Sequence, residues 1–353
     1  MNEKIKWLRE KMKMLDMQGM IITNPVNIRY LTGIVAEGVL LITRKENIYL
    51  TDARYTEVVN STLTIDDGII VHEFKDFSKD EYENFFLFCE NVGFEEDYVT
   101  YAQYKDYMQL YKVNNLQETE KVIEKQRMIK DEEEIENIKK ACKITDECFS
   151  YILNYIKVGM TEKEIARKID EYYEKNADGK SFETIVASGE NSSKPHAIPS
   201  ERKIQKTDII TIDMGCKING YCSDMTRTIF VGEVSEEIKN VYDLVLKNQE
   251  QVLKDLKENV NTKQISKMVD NDFRLHDYDL IHALGHGVGL DIHEGPILSC
   301  NSENILKENM IVTDEPGIYI AGNFGVRIED IVLITKNGCE QLTKSDKKYI
   351  IIK

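Results

Sequence analysis

From residue 131 to residue 335 the chain runs twice through the same order of elements, and this recurrence constrains its fold more than any other feature. Ile135, Ile138, Ala141, Cys142, Phe149, Ile152, Leu153 and Ile156 recur at helical spacing, and Thr161-x-x-Glu164 is a capping-box pattern that opens a second helix. The period then changes. TDIITIDMGCKINGYCSDMTRTIFVG (207–232) alternates as strands do, with Asn219-Gly220 as its hairpin-turn signal. Next, Glu236–Lys257 and Thr262–Phe273 read as amphipathic helices, and a second strand pair follows, NMIVTDEPGIYI and GVRIEDIVLIT. Segments 131–232 and 235–335 therefore each read helix, helix, hairpin. Two similar α+β halves about a pseudo-twofold axis, with the hairpins facing each other, satisfy that order.

Residues 1–115 read differently. MIIT, GVLLIT and NIYLTD are short apolar strands between helical patterns, and Lys4–Met17 is an amphipathic helix. The charged stretch Glu118–Glu136 has no glycine or proline and reads as a helical linker. A length of 353 residues favours two domains, here a smaller α/β domain over 1–124 and an α+β domain over 125–353. The formal net charge of −16 argues against nucleic acid and anionic membranes as partners, because the mean field repels them. Charges break every apolar run of MNEKIKWLREKMKMLD, so it does not read as a signal peptide, and no stretch approaches the roughly 18 apolar residues of a membrane span. Seven cysteines, an odd number without CxxC, read as free thiols of a cytoplasmic protein.

The first strand pair carries Asp213 and Asp224. With Asn219-Gly220 as a two-residue turn, Asp213 faces Thr226, and Asp224 shares the face of Asp213 on the diagonal. Diagonal neighbours are about 7–8 Å apart, near enough for both carboxylates to reach one or two metal ions. Solvated aspartates on an open strand are the plain alternative. Ile209, Ile210, Ile212, Met214, Ile229 and Phe230 weigh against it, because aspartates in an apolar setting need a cation. The second pair repeats the arrangement with Glu315 and Glu329 around a turn at 321–325. With Ile320 facing Val326, Glu329 is again the diagonal neighbour of Glu315. Arg327 shares that face, and a salt bridge from Arg327 to Glu315 or Glu329 is the competing use of these residues.

HALGHGVGLDIHEGP (282–296) holds three of the six histidines in a glycine-rich loop. The glycines let the backbone bend so that His286 reaches the hairpins. Four carboxylates and one imidazole suit two divalent cations such as Mn²⁺, Co²⁺, Fe²⁺ or Zn²⁺. A pair of ions roughly 3.5–4 Å apart can hold a water or hydroxide between them, a nucleophile near neutral pH.

FETIVASGENSSKPHAIP, TIDMGCKINGYCSDMTRT, HALGHGVGLDIHEGP, TDEPGIYI and GVRIED together resemble the M24 metallopeptidases of the pita-bread fold. Within them they resemble the Xaa-Pro peptidases of prolidase and aminopeptidase P type. NPVNIRYLTGI and LTDARYTE extend the resemblance to a creatinase-like N-terminal domain. The resemblance implies that Asp213, Asp224, His286, Glu315 and Glu329 are the metal ligands, with Asp224 and Glu329 bridging, and Mn²⁺ foremost among the ions. It implies that His196 steadies the intermediate, that His282 and His293 line the substrate pocket, His293 also serving catalysis, and that Arg327 lies near the substrate. On that reading Glu315, as a terminal carboxylate ligand beside the hydroxide, is the expected proton acceptor. Tyr221 and Tyr319 sit beside ligand positions and rank lower, while His72 and His276 match nothing. The substrate implied is a peptide with proline second, and the assembly implied is a homodimer. A methionine aminopeptidase or other M24 aminopeptidase, and a non-catalytic relative, are the alternatives. Asp314, beside Glu315, departs from the family's usual apolar or small residue.

Overall fold

Residues 2–64 and 67–352 are described by a computed structural model, in which the chain divides into two units, Met1–Arg127 and Met128–Lys353. The first unit runs α1 (Glu3–Met14), β1 (Gly19–Ile22), α2 (Pro25–Thr32), β2 (Val39–Thr43), β3 (Asn47–Thr51), α3 (Thr56–Thr62), β4 (Ile70–Glu73), α4 (Lys79–Phe85), β5 (Val92–Phe94), α5 (Tyr101–Leu110), β6 (Leu116–Glu118) and α6 (Val122–Arg127). Its six strands form one mixed sheet in the order β4-β3-β2-β1-β5-β6. β1 is central and wholly buried, which is why it reads as a continuous apolar run rather than an alternation. Asn2 and Asn24 cap α1 and α2, and Ser78 and Thr100 make capping boxes on α4 and α5.

The stretch 118–136 is not one helix. α6 ends at Arg127, Ile129 bridges to Met310, and Asp131 caps a new helix, α7 (Glu132–Tyr155). The absence of breakers permitted a continuous helix. The Asp131–Glu134 capping box and the bridge to Met310 take the backbone groups that such a helix would need.

The second unit continues with α8 (Glu162–Asn176), β7 (Ile185–Ser188), β8 (Ile209–Met214), β9 (Lys217–Ile218), β10 (Tyr221–Cys222), β11 (Met225–Val231), α9 (Glu236–Asp255) and α10 (Thr262–Arg274). Then come β12 (Gly285–Gly287), β13 (Glu294–Leu298), β14 (Ile311–Asp314), β15 (Gly317–Ile320), β16 (Phe324–Arg327), β17 (Asp330–Thr335), β18 (Gly338–Gln341) and β19 (Ile351–Ile352). The larger sheets are β19-β11-β8-β7 and β13-β12-β14-β17-β18, and β9-β10 and β15-β16 pair as two-stranded ribbons. Each half keeps its own apolar core: Phe149, Ile152, Ile169, Ile212 and Ile229 in the first, and Val245, Val252, Val269, Val312 and Val332 in the second. No helix among the described residues is long and apolar enough to cross a membrane.

Both hairpins open in the middle, and the carboxylates sit at or beside the openings. In the first, Ile218 faces Tyr221 and Asp213 faces Thr226, as the Asn-Gly turn requires. The ladder breaks between β8 and β9 on one side and between β10 and β11 on the other, and Asp224 lies in that break. The second hairpin corrects the expected register. Ile320 faces Phe324, not Val326, so the turn is 321–323, with Gly322 at φ +71°. Three-residue loops with glycine in this region are a standard hairpin solution. Gly317 faces Arg327 and Asp314 faces Asp330, which sets Glu315 opposite Glu329 rather than on its diagonal. The hairpins meet through Glu329 N–H donating to the Thr226 carbonyl (3.1 Å) and Thr228 Oγ1 donating to the Arg327 carbonyl (2.9 Å).

Candidate metal centre and active site

The segment around His286 is a strand, not a loop. β12 lies between β13 and β14, and its glycines are there for close approach. A Cβ on Gly285 would lie 2.1 Å from the Thr313 carbonyl oxygen, and one on Gly287 would lie 2.0 Å from that of Gly295. No side chain fits at either position, so the imidazole between them is carried on a strand squeezed from both sides.

His286 Nδ1 donates to the Gly287 carbonyl at 3.0 Å, which leaves Nε2 unprotonated. Nε2 lies 3.3 Å from Glu315 Oε1 and 3.7 Å from Asp224 Oδ2. These are not ion pairs, because burial holds the His286 imidazole below its ordinary range and so neutral. A nitrogen lone pair facing two carboxylate oxygens is repulsive unless a cation lies between them. One ligand atom each from Asp224, His286 and Glu329 lies within 4.8 Å of the others. Asp213 Oδ1 is buried without a hydrogen-bond partner among the described residues. Burial first, and then mutual repulsion, push Asp224 and Glu329 well above the ordinary carboxyl range, and burial also raises Glu315. A divalent ion reverses that penalty, so these residues fit one.

Arg327 does not pair with Glu315 or Glu329. Its Nη2 donates to Asp213 Oδ2 at 2.7 Å, Nε to Thr226 Oγ1 at 3.0 Å, and Nη1 to the Pro195 carbonyl at 3.2 Å and the Tyr319 hydroxyl at 2.7 Å. It is 4% exposed and fully committed to protein partners. Thr226 passes the network on by donating to Glu329 Oε2 at 2.6 Å, and Thr313 Oγ1 donates to Glu315 Oε1 at 3.0 Å. Tyr319 lies 3.0 Å from His282 Nε2, and His282 Nδ1 donates to the Ala283 carbonyl at 2.7 Å. Burial keeps His282 below the ordinary imidazole range as well, and for His293 partial desolvation and then the neighbouring His286 act in the same direction.

His196, Asp213, Asp224, His282, His286, His293, Glu315, Arg327 and Glu329 all line one cavity of about 880 Å³. This is near the top of the roughly 300–1,000 Å³ typical of small-molecule sites. His196 and His293 are exposed on its wall. Asp314 does not line it: the side chain is fully buried, and neither carboxylate oxygen has a partner among the described residues. Sequence reasoning underrated Tyr319 and passed over Thr226 and Thr313 as contributors. The strand alternation held their signal, since Thr313 is two residues from Glu315 and Thr226 faces Asp213. Tyr221 points elsewhere and donates to Glu134 Oε1 at 2.8 Å.

Residues 136–336 match metallopeptidase family M24, and residues 4–129 match the creatinase/prolidase N-terminal domain. The chain belongs to metallopeptidase family M24. It is 35% identical to an Xaa-Pro dipeptidase of Pyrococcus horikoshii, over 99% of each chain. Among solved structures, an Xaa-Pro dipeptidase from Bacillus anthracis superposes with a TM-score of 0.93 at 36% identity, covering 99% of both chains. An X-Pro aminopeptidase from Thermotoga maritima superposes with a TM-score of 0.88 at 32% identity, covering 97% of this chain and all of that one. As a member of this family the chain is a metallopeptidase that takes a peptide substrate, and the family implies divalent metal ions.

Proposed function

We propose that this M24 peptidase hydrolyses the bond before proline in Xaa-Pro dipeptides or short Xaa-Pro peptides. One observation carries the reading. Four carboxylates and His286 converge on one cavity in a chain that is 35% identical, over nearly its full length, to an Xaa-Pro dipeptidase. Asp213, Asp224, His286, Glu315 and Glu329 would hold two divalent ions, Mn²⁺ foremost. Bound there, the ions supply Lewis acidity toward the scissile carbonyl and lower the pKa of water.

The protein's own groups do the rest. Water adds to the carbonyl carbon of the first residue, and its proton passes to Glu315. The C–N bond then breaks as Glu315 returns that proton to the proline nitrogen, and the second proton of the water passes from the new carboxyl group to the amine, leaving a carboxylate and a protonated secondary amine. Thr313, by donating to one oxygen of Glu315, leaves the other to carry the proton. His196, exposed on the cavity wall, donates to the developing oxyanion. His293, stacked edge-on against His286 at 4.4 Å between centroids, and His282, held by Tyr319, position the substrate. Arg327 acts through Asp213, which it orients. Proline brings no amide N–H and a fixed φ, so its subsite selects by ring shape. The assembly proposed with it is a homodimer, and a monomeric mass in sedimentation at micromolar concentration would count against it.

The test is a cleavage comparison of Ala-Pro with Ala-Ala, before and after chelation. Ala-Pro hydrolysis that chelation abolishes and Mn²⁺ or Co²⁺ restores is expected. Full activity in a metal-free preparation, or equal rates on both dipeptides, refutes the proposal.

A further inference from the structure

The cavity is larger than a dipeptide needs, and its outer wall is α8. Lys163, Ala166, Arg167 and Asp170 face it at i, i+3, i+4 and i+7, one side of that helix. The charges on this wall are largely spoken for. Asp170 and Glu183 both accept from Lys180, at 3.0 and 2.7 Å, and Lys163 pairs with Glu201 at 2.9 Å. The carboxylates close to Arg167 along α8 are engaged as well: Glu164 closes the capping box with Thr161, and Glu171 pairs with Lys168 at 3.0 Å. Arg167 is exposed and is the one lysine or arginine lining the cavity with no hydrogen bond or salt bridge among the described residues.

Its place along the wall can be followed from the metal centre. Ile185 on β7 faces Asp213 on β8, one inter-strand step of about 4.8 Å. Thr184, the neighbour of Ile185 in sequence, donates to Asp170 at 2.7 Å, and Arg167 lies one turn back from Asp170 along α8, about 5 Å. A dipeptide whose scissile carbonyl is at the carboxylates ends one residue further on, about 3.5 Å. A tripeptide ends about 7 Å on, with its carboxylate that much further along the cavity that Arg167 also lines.

We infer that Arg167 is a specificity residue that takes the C-terminal carboxylate of Xaa-Pro-Yaa tripeptides, so that this protein's preferred substrates are longer than dipeptides. A guanidinium offers a planar pair of donors matched to a carboxylate. The inference rests on the proposed Xaa-Pro activity.

The test measures kcat and KM of the Mn²⁺-loaded protein, as wild type, Arg167→Ala and Arg167→Lys. The substrates are Ala-Pro, Ala-Pro-Ala and the C-terminal amide of Ala-Pro-Ala. Arg167→Ala should raise KM for Ala-Pro-Ala about 5–10-fold with kcat unchanged, as loss of uniform binding does. It should leave Ala-Pro and the amide unaffected, and Arg167→Lys should recover part of the loss. Wild type should bind the amide as weakly as Arg167→Ala binds the acid. An active wild type whose Arg167→Ala variant handles Ala-Pro-Ala normally, or loses acid and amide equally, overturns the assignment alone. A wild type inert on all three substrates overturns the peptidase reading, and the assignment with it.

Discussion

Replacing Arg327 with methionine tests the network behind the metal centre. Methionine keeps an apolar stem in the same space but deletes four donated hydrogen bonds, to Asp213, Thr226, the Pro195 carbonyl and Tyr319. Removing one partner of a buried ion pair costs roughly 3–5 kcal/mol, because the remaining charge loses its counterion. The catalytic unit runs from Met128 to Lys353, a size at which each kcal/mol moves Tm by roughly 2–4 °C. The metal-free variant should therefore unfold roughly 6–20 °C below the metal-free wild type. Saturating Mn²⁺ should narrow the gap, since the ion gives Asp213 a second positive partner. Scanning calorimetry of both proteins, with and without Mn²⁺, reads all four values. A metal-free Arg327→Met protein within about 2 °C of wild type would refute the argument that Arg327 neutralises Asp213.

His196→Ala should keep its metal but lose about 10²–10³-fold in kcat, the usual cost of one donor to the transition state, whereas Asp224→Ala should lose metal. Metal stoichiometry beside kcat separates them, and the reverse pattern would make His196 a ligand. Asp314 is pushed well above the ordinary carboxyl range by burial and then by Asp330. A carboxyl whose folded pKa is raised holds its proton in the folded state after the unfolded chain has released it, so stability falls as pH rises through and above the ordinary range near 4. Asp314→Asn should remove that slope, and its Tm relative to wild type should rise from pH 5 to pH 8; a difference that does not change with pH would count against the assignment.

Turn chemistry and helix caps were readable because they are local. Asn219-Gly220 favours a two-residue turn, and from it the pairing of Asp213 with Thr226 follows by counting. Thr161 and Glu164 close their capping box within one turn of helix. The second hairpin resisted the same count, because the ladder opens at Pro316 and because Gly322-Asn323, a dipeptide that suits a two-residue turn, sits instead in a three-residue loop, 321–323. The carboxylates and His286 could be listed from the sequence because metal chemistry demands those residue types. Arg327 shows where such reading ends. Its neighbours in sequence suggested Glu315 or Glu329, but its ion-pair partner is Asp213, 114 residues away on the other hairpin. Tyr319 between Arg327 and His282, and Arg167 facing the cavity, depend on the same kind of fact. Periodicity says which face of a strand or helix a side chain occupies. What stands opposite that face is decided by how the two halves pack, and that is a property of the whole core rather than of any short stretch of chain.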